Sequence, residues 1–254
     1  MSSIELRNVS LDYLIKTGSN SIKRSPIHFL NSCFKKSTNS RAVISNSTYR
    51  ALNNINLQIN KGERIGLIGR NGAGKSTLLR VLAKIYKPSL GQIEINGKIS
   101  NLFDVSSGMN IESTGYENIL NLAIMRRISK KNILTIMEDI EEFTELGEFL
   151  NSPVKAYSTG MLLKLAFAVA TSIPSDIILI DEIIGTGDIH FMEKATKRLE
   201  HMIEQSHILV LASHSNDIIR RFCNKVIVLD KGQIQYFGDI EEGISFYTKE
   251  VELL

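Results

Sequence analysis

The run Gly69-Arg70-Asn71-Gly72-Ala73-Gly74-Lys75-Ser76-Thr77 restricts what this chain can fold into more than any other stretch. It fits G-x-x-x-x-G-K-[S/T], a glycine-rich loop that joins a buried strand to a helix. Ile65-Gly66-Leu67-Ile68 supplies the strand. Behind the loop, Leu78, Leu79, Leu82 and Ile85 recur at helical spacing until Pro88 forbids continuation. Glycines let backbone N–H groups converge on phosphate oxygens that Cβ atoms would obstruct. Lys75 offers a mobile charge to β- and γ-phosphates, and the Ser76 hydroxyl can ligate Mg²⁺. The helix aims its positive end at the same anion. A chance match arises in on the order of one chain in a hundred of this length, and the flanking strand and helix make it rarer. Gly69, Asn71, Gly72, Ala73, Gly74, Lys75, Ser76 and Thr77 are therefore the candidate phosphate contacts.

Ile177-Ile178-Leu179-Ile180-Asp181-Glu182 is an apolar strand ending in two carboxylates. Alone, such a pair is common at a strand end. Downstream of a phosphate loop it has the chemistry of a Walker B element: Asp181 holds Mg²⁺ through water, and Glu182 orients or activates the attacking water. His214, in Ala212-Ser213-His214-Ser215, ends the predicted strand Ile208–Ala212. A lone histidine is more often structural, but open α/β sheets bind ligands at the carboxyl ends of their strands.

Apolar residues at 43% and charged residues at 22% are ordinary globular proportions, and a net charge of +3 gives no case for nucleic acid. Ile4, Leu6, Val9, Leu11 and Tyr13 form an imperfectly alternating strand. Residues 14–50 then contain no acid, while Lys16, Lys23, Arg24, Lys35, Lys36, Arg41 and Arg50 are all basic. This insertion reads either as a solvated loop or as a surface for anionic lipid headgroups or a partner protein. Leu52, Ile55, Leu57 and Ile59 resume the strand pattern up to a turn at Lys61-Gly62, and Asn96-Gly97 between Ile95 and Ile99 signals a hairpin. From Ser113 to Leu150 the pattern is helical, opened by a Thr114/Glu117 capping box and carrying an Ile133, Ile136, Met137, Ile140, Phe143 stripe. Cys33 and Cys223 read as reduced thiols. No signal sequence opens the chain, and no stretch approaches the roughly 18 apolar residues of a membrane span, so any crossing belongs to another chain. Asn224-Lys225 lacks the following aspartate that guanine recognition wants.

Taken in order, the phosphate loop, Asp181-Glu182, His214 and Tyr157-Ser158-Thr159-Gly160-Met161 resemble the nucleotide-binding subunit of ATP-binding-cassette (ABC) transporters. The last segment is similar to that family's L-S-G-G-Q signature. The resemblance implies an α/β fold over 1–254: a P-loop NTPase (RecA-like) core, an antiparallel β subdomain and an inserted α-helical subdomain at about 104–172. It implies ATP and Mg²⁺ as ligands, His214 as the switch histidine and Glu182, His214 and Lys75 as the catalytic set. Tyr49 would stack on adenine, and Asp188 would be the D-loop aspartate. Asp104, beside Ser76 and Asp181 as a metal ligand, stands nearest the place of the Q-loop glutamine. Ser158 and Gly160 of one subunit would close over ATP held by Lys75 of the other, giving a homodimer.

Departures from the common pattern resemble one branch of the family. Tyr157–Met161, the run Asp181 to Asp188, and Thr114-Gly115-Tyr116-Glu117-Asn118 look like ATPase subunits of bacterial O-antigen, capsule and teichoic-acid exporters. That implies work at the cytoplasmic face of the cell membrane with an integral membrane permease, moving a lipid-linked glycan. On this reading residues 231–254 are a tail without a carbohydrate-binding domain. The alternatives are the ATPase of another transporter class, either a nutrient importer, disfavoured by Thr159, Met161 and the missing glutamine, or a drug or lipid exporter, and, ranked below these, a soluble cassette acting on ribosomes or DNA.

Overall fold

The structure is a computed structural model that describes residues 2–16, 46–103, 108–125, 128–182 and 189–252. The chain runs β1 (Ser3–Lys16), β2 (Asn46–Asn60), β3 (Arg64–Ile68), α1 (Lys75–Leu82), β4 (Leu90–Asn96) and β5 (Ile99–Asn101). Helices α2 (Gly115–Met125), α3 (Lys130–Thr144) and α4 (Thr159–Thr171) follow. The remainder is β6 (Ile177–Asp181), α5 (Ile189–Gln205), β7 (Ile208–Ala212), α6 (Asn216–Phe222), β8 (Lys225–Asp230), β9 (Gln233–Gly238) and α7 (Ile240–Glu252).

Six strands form the main sheet in the order β5-β6-β7-β3-β8-β9, parallel except for β9. Both faces are covered, which is why its strands read as unbroken apolar runs. Ile208 and Val210 join the core shared with α1 and the small sheet, whereas Leu209 and Leu211 join the core under α5 and α7. A separate core holds the helical lobe together, with Ile119, Ile140, Leu150, Val154 and Leu165 at its centre. This is the expected α/β architecture.

The small sheet is antiparallel, in the order β2-β1-β4. Its imperfect alternation has a structural cause. Leu6 pairs with Leu57 and Val9 with Ile55, and the register shifts between them where Asn8 takes φ 51°. The bulge lets both apolar side chains face the core although they lie three residues apart. Strand continues at both edges of the basic insertion, with Lys16 paired to Asn46. The rest of that insertion lies outside the described residues.

Three expectations need correction. Asn96-Gly97 does not close a hairpin: β4 pairs with β1, whereas β5 pairs with β6 in the other sheet. Gly97 alone of the two takes positive φ, at 126°, and the Lys98 N–H is captured by the Asp176 carboxylate at 2.7 Å. The chain is therefore passed between sheets, because Ile95 and Ile99 belong to different β-layers. Ile85 falls outside α1 and is 49% exposed, since Lys84 turns into the left-handed region at φ 59°. Residues 233–252 are not a tail; β9 pairs antiparallel with β8, and Ile244 of α7 is buried against the main sheet.

The helical lobe follows its sequence signals more closely. The Thr114 N–H donates to Glu117 Oε2 at 2.8 Å, and the Glu117 N–H donates to Thr114 Oγ1 at 3.1 Å. Ile133 and Ile140 of the α3 stripe are buried, and Ile140 lies in the lobe core with Ile136, Met137 and Phe143 packed against it. Between Ser113 and Leu150 the helix is interrupted, and 3₁₀ turns at Gly147–Asn151 and Val154–Ala156 lead to α4.

Candidate functional site

Strand β3 lies between β7 and β8, so the loop that leaves it emerges at the middle of the main sheet's carboxyl edge. Gly74 caps α1 with φ 107°, and a Cβ there would approach the Ala51 carbonyl oxygen to 2.9 Å. Behind the loop, the Gly232 N–H donates to the Ala73 carbonyl at 2.8 Å, tying the β8–β9 turn to the loop. Both features hold the backbone donors where an anion can reach them. Gly74→Ala should destabilise the fold by about 1–3 kcal/mol through its left-handed φ and abolish nucleotide binding. Denaturant melts and titration with a fluorescent ATP analogue would test both effects; unchanged binding would remove the loop geometry from the argument.

Lys75 is buried, 9% exposed, and donates from Nζ to the Gly69 carbonyl at 2.6 Å and the Arg70 carbonyl at 3.1 Å. Burial pushes its pKa below the ordinary lysine value, while the nearby Asp181 and Glu182 carboxylates pull it partly back. A desolvated ammonium held by two carbonyls is ready to exchange them for phosphate oxygens.

The same cavity, about 460 Å³, is lined by Tyr13, Tyr49, Asn71, Gly72, Gly74, Lys75, Ser76, Thr77, Asp181, Glu182, Ser213 and His214. Topology explains the convergence, because β7 lies beside β3 and β6 beside β7, all three parallel and ending at the same sheet edge. Glu182 takes φ 61°, unusual for a residue with a Cβ, and its N–H donates to the Ala212 carbonyl at 3.0 Å. That bond to β7 holds the carboxylate next to the turn that carries His214. Strain of this kind persists only where surrounding contacts enforce it.

Tyr49 is 51% exposed at the mouth of the cavity. Beside it, the Arg50 guanidinium holds both oxygens of Asp12, at 2.8 and 3.1 Å. Tyr13 is a site residue that the sequence reading missed. It lies directly opposite Tyr49 across the β1–β2 ladder, its ring meets Tyr86 edge-on, and its hydroxyl is 3.4 Å from Thr77 Oγ1. The signal was there in its strand periodicity, but the register that brings it to Tyr49 spans the whole insertion.

Ser158 and Gly160 stand apart from this cavity among the described residues. Both are exposed at the amino end of α4, where Ser158 Oγ accepts from the Met161 N–H at 3.2 Å. Asp104 and Asp188 lie outside the described residues. Gly69 and Ala73 belong to the loop without lining the cavity; a Cβ on Gly69 would overlap the Leu229 carbonyl oxygen.

Comparison with known proteins agrees with this geometry. The O-antigen export system ATP-binding protein RfbE of Yersinia enterocolitica is 42% identical over 92% of this chain and 97% of its own length. The O-antigen export system ATP-binding protein RfbB of Myxococcus xanthus is 40% identical over 82% of this chain, which spans 47% of that longer protein. The teichoic acids export ATP-binding protein TagH of Shouchella clausii is 38% identical over 78% of this chain and 55% of its own length. Among solved structures, the ATP-binding cassette MJ0796, a dimer in a post-hydrolysis state with ADP and Pi, shares the fold with a TM-score of 0.66. It is 23% identical and is matched over 93% of this chain and 98% of its own. The family model described as ABC transporter matches residues 52–185, from β2 through the Asp181-Glu182 strand end. With the phosphate loop, the paired carboxylates and the histidine gathered at one sheet edge, this chain belongs to the ABC transporter family.

Proposed function

We propose that the protein is an ATP-hydrolysing subunit that works as a homodimer with a separate integral membrane permease. The pair would export a lipid-linked polysaccharide of the O-antigen, capsule or teichoic-acid class from the cytoplasmic face of the membrane. The observation that carries the ATPase is the meeting of Lys75, Ser76, Asp181, Glu182 and His214 on one cavity. The polysaccharide assignment is supported by the relatives' export functions and by the near end-to-end match to RfbE. Among the described residues no helix is long and apolar enough to cross a membrane.

The residues fit Mg²⁺ carried in with a nucleotide. The Ser76 hydroxyl and Asp181 carboxylate open onto the cavity that holds Lys75. Among the described residues no three His, Cys, Asp or Glu gather into a metal cage. Ser76 and Asp181 would hold the ion, which would neutralise charge developing on the phosphates. Lys75 and the loop amides position the phosphates, Glu182 orients water and accepts its proton, and His214 steadies the γ-phosphate side. Tyr49 presents its exposed face to the adenine ring.

Each copy holds half of a complete site. Ser158 and Gly160 face solvent at a helix end whose positive dipole end favours an anion. Such an end is worth only about 0.3–1 kcal/mol when exposed, but more once a partner excludes water. ATP held by one copy and capped by the other therefore acts as the adhesive of the dimer.

The test is genetic. Deleting the gene should trap glycan inside the cell, and wild-type protein but not Glu182→Gln should restore it to the surface. Normal surface glycan after deletion would end the polysaccharide reading and leave the ATPase intact.

A further inference from the structure

The segment ahead of α4 is fastened by a network that the ATP cavity does not use. Asn118 is 1% exposed and its amide is fully engaged. Its Oδ1 accepts from the Asn110 N–H at 2.7 Å, and its Nδ2 donates to the carbonyls of Asn110 and Thr114 at 2.9 Å and of Ser113 at 3.3 Å. This holds loop 110–114, which in turn pairs with the run leading into the signature. The Val154 N–H donates to the Ser113 carbonyl and the Lys155 N–H to the Ile111 carbonyl, both at 2.9 Å, while Thr114 bridges Pro153. An ion pair between Lys155 and Glu112 closes the outer side.

Tyr157 ends this ladder. Its hydroxyl donates to the Phe149 carbonyl at 2.8 Å. The same hydroxyl rests against Gly115, where a Cβ would come within 2.5 Å of it and 2.9 Å of Leu150 Cδ2. Burial raises the phenol's pKa, so it remains a neutral donor. The next residue is Ser158, which caps α4. Ser158, Thr159 and Gly160 are all exposed, so the clamp lies immediately before them rather than around them.

We infer that Tyr157, seated on Gly115 and tethered to the Phe149 carbonyl, is a positioning residue that sets where the amino end of α4 meets the partner's γ-phosphate. The inference rests on the reading in which Ser158 and Gly160 close over ATP held by the other copy. Glycine at 115 is required because any side chain would displace the tyrosine hydroxyl. The displacement would pass through one peptide bond to the helix cap, and preorganised donors lose most of their effect when they are misplaced by about an ångström.

Gly115→Ala should lower kcat by about tenfold or more, while ATP affinity of the monomer, whose cavity lacks these residues, stays within about twofold. ATP-driven dimerisation in a Glu182→Gln background should weaken in parallel. Tyr157→Phe removes one hydrogen bond and should cost a factor of about two to ten in kcat. The double variant should recover towards the level of Tyr157→Phe, because removing the hydroxyl relieves the closest overlap and leaves the flexible end of Leu150 to shift. A merely structural role would lower the monomer's ATP affinity together with kcat and would give no rescue; either result overturns the inference. Should Gly115→Ala fail to fold, Tyr157→Phe decides, and unchanged kcat with unchanged dimerisation overturns it. Ser158→Ala separates the two failures. If it too leaves both readouts intact, the cross-dimer reading is wrong; if it lowers them while the Gly115 and Tyr157 variants do not, only the positioning role is wrong.

Discussion

Glu182→Gln should lower kcat for ATP by on the order of 10²–10⁴-fold, the usual contribution of a positioned general base. Binding should survive, so ATP-bound dimers accumulate. Glutamine keeps the length and shape of the side chain, and it keeps the N–H that donates to the Ala212 carbonyl. It is also as tolerant as glutamate of the φ of 61° at this position. What it loses is the basic oxygen beside Asp181, on the cavity wall shared with Lys75 and His214. With the nucleotide unspent, the Ser158 end of the facing subunit should stay closed over it. Size-exclusion chromatography with Mg-ATP should show a dimer for the variant and mostly monomer for the wild type after turnover. A variant that hydrolyses at the wild-type rate would remove Glu182 from the chemistry and move the base to another group.

Much of this arrangement is legible in the sequence because its signals are local. Ile177–Ile180 and Ile208–Leu211 are apolar runs bounded by polar ends, and they are central strands buried on both faces. Thr114 with Glu117 and Ser158 ahead of Met161 form the caps their residue types imply. What stays hidden depends on distant pairing. Asn96-Gly97 carries a hairpin signature, but which sheet receives the next strand is decided by β6, some eighty residues later. Tyr13 reads only as a strand residue until β2 returns to set Tyr49 opposite it. Strand β9 is hard to see because it is a sheet edge with half-exposed alternation, Phe237 being 39% exposed. The positive φ of Glu182 has no sequence signal, since it is imposed by the hydrogen bond to β7.

Lys75→Met should abolish ATP-dependent stabilisation and lower kcat by on the order of 10²–10³-fold, as expected when one donor to a developing anion is lost. The wild type at ATP a hundredfold above Kd gains about 2.7 kcal/mol, which for a chain of this size is roughly 5–10 °C in Tm. The variant should show almost none of that shift. Without nucleotide the comparison changes character. Burial depresses the Lys75 pKa below the ordinary 10.5, so the folded state holds this proton less tightly than the unfolded chain does. Stability therefore rises with pH between the depressed folded pKa and 10.5, and the burden of the buried charge is fully present below that window. Methionine has no charge to desolvate, so nucleotide-free Lys75→Met should melt within a few degrees of the wild type near neutrality. The difference should then move in the wild type's favour as pH rises towards the lysine range. Adding Mg-ATP should reverse the balance, because phosphate oxygens would replace the Gly69 and Arg70 carbonyls as partners and hold the ammonium charged. Paired thermal melts across pH, with and without Mg-ATP, measure both effects. A pH-independent difference would mean that Lys75 carries no burial penalty, and a preserved ATP shift in the variant would mean that the phosphates are held elsewhere.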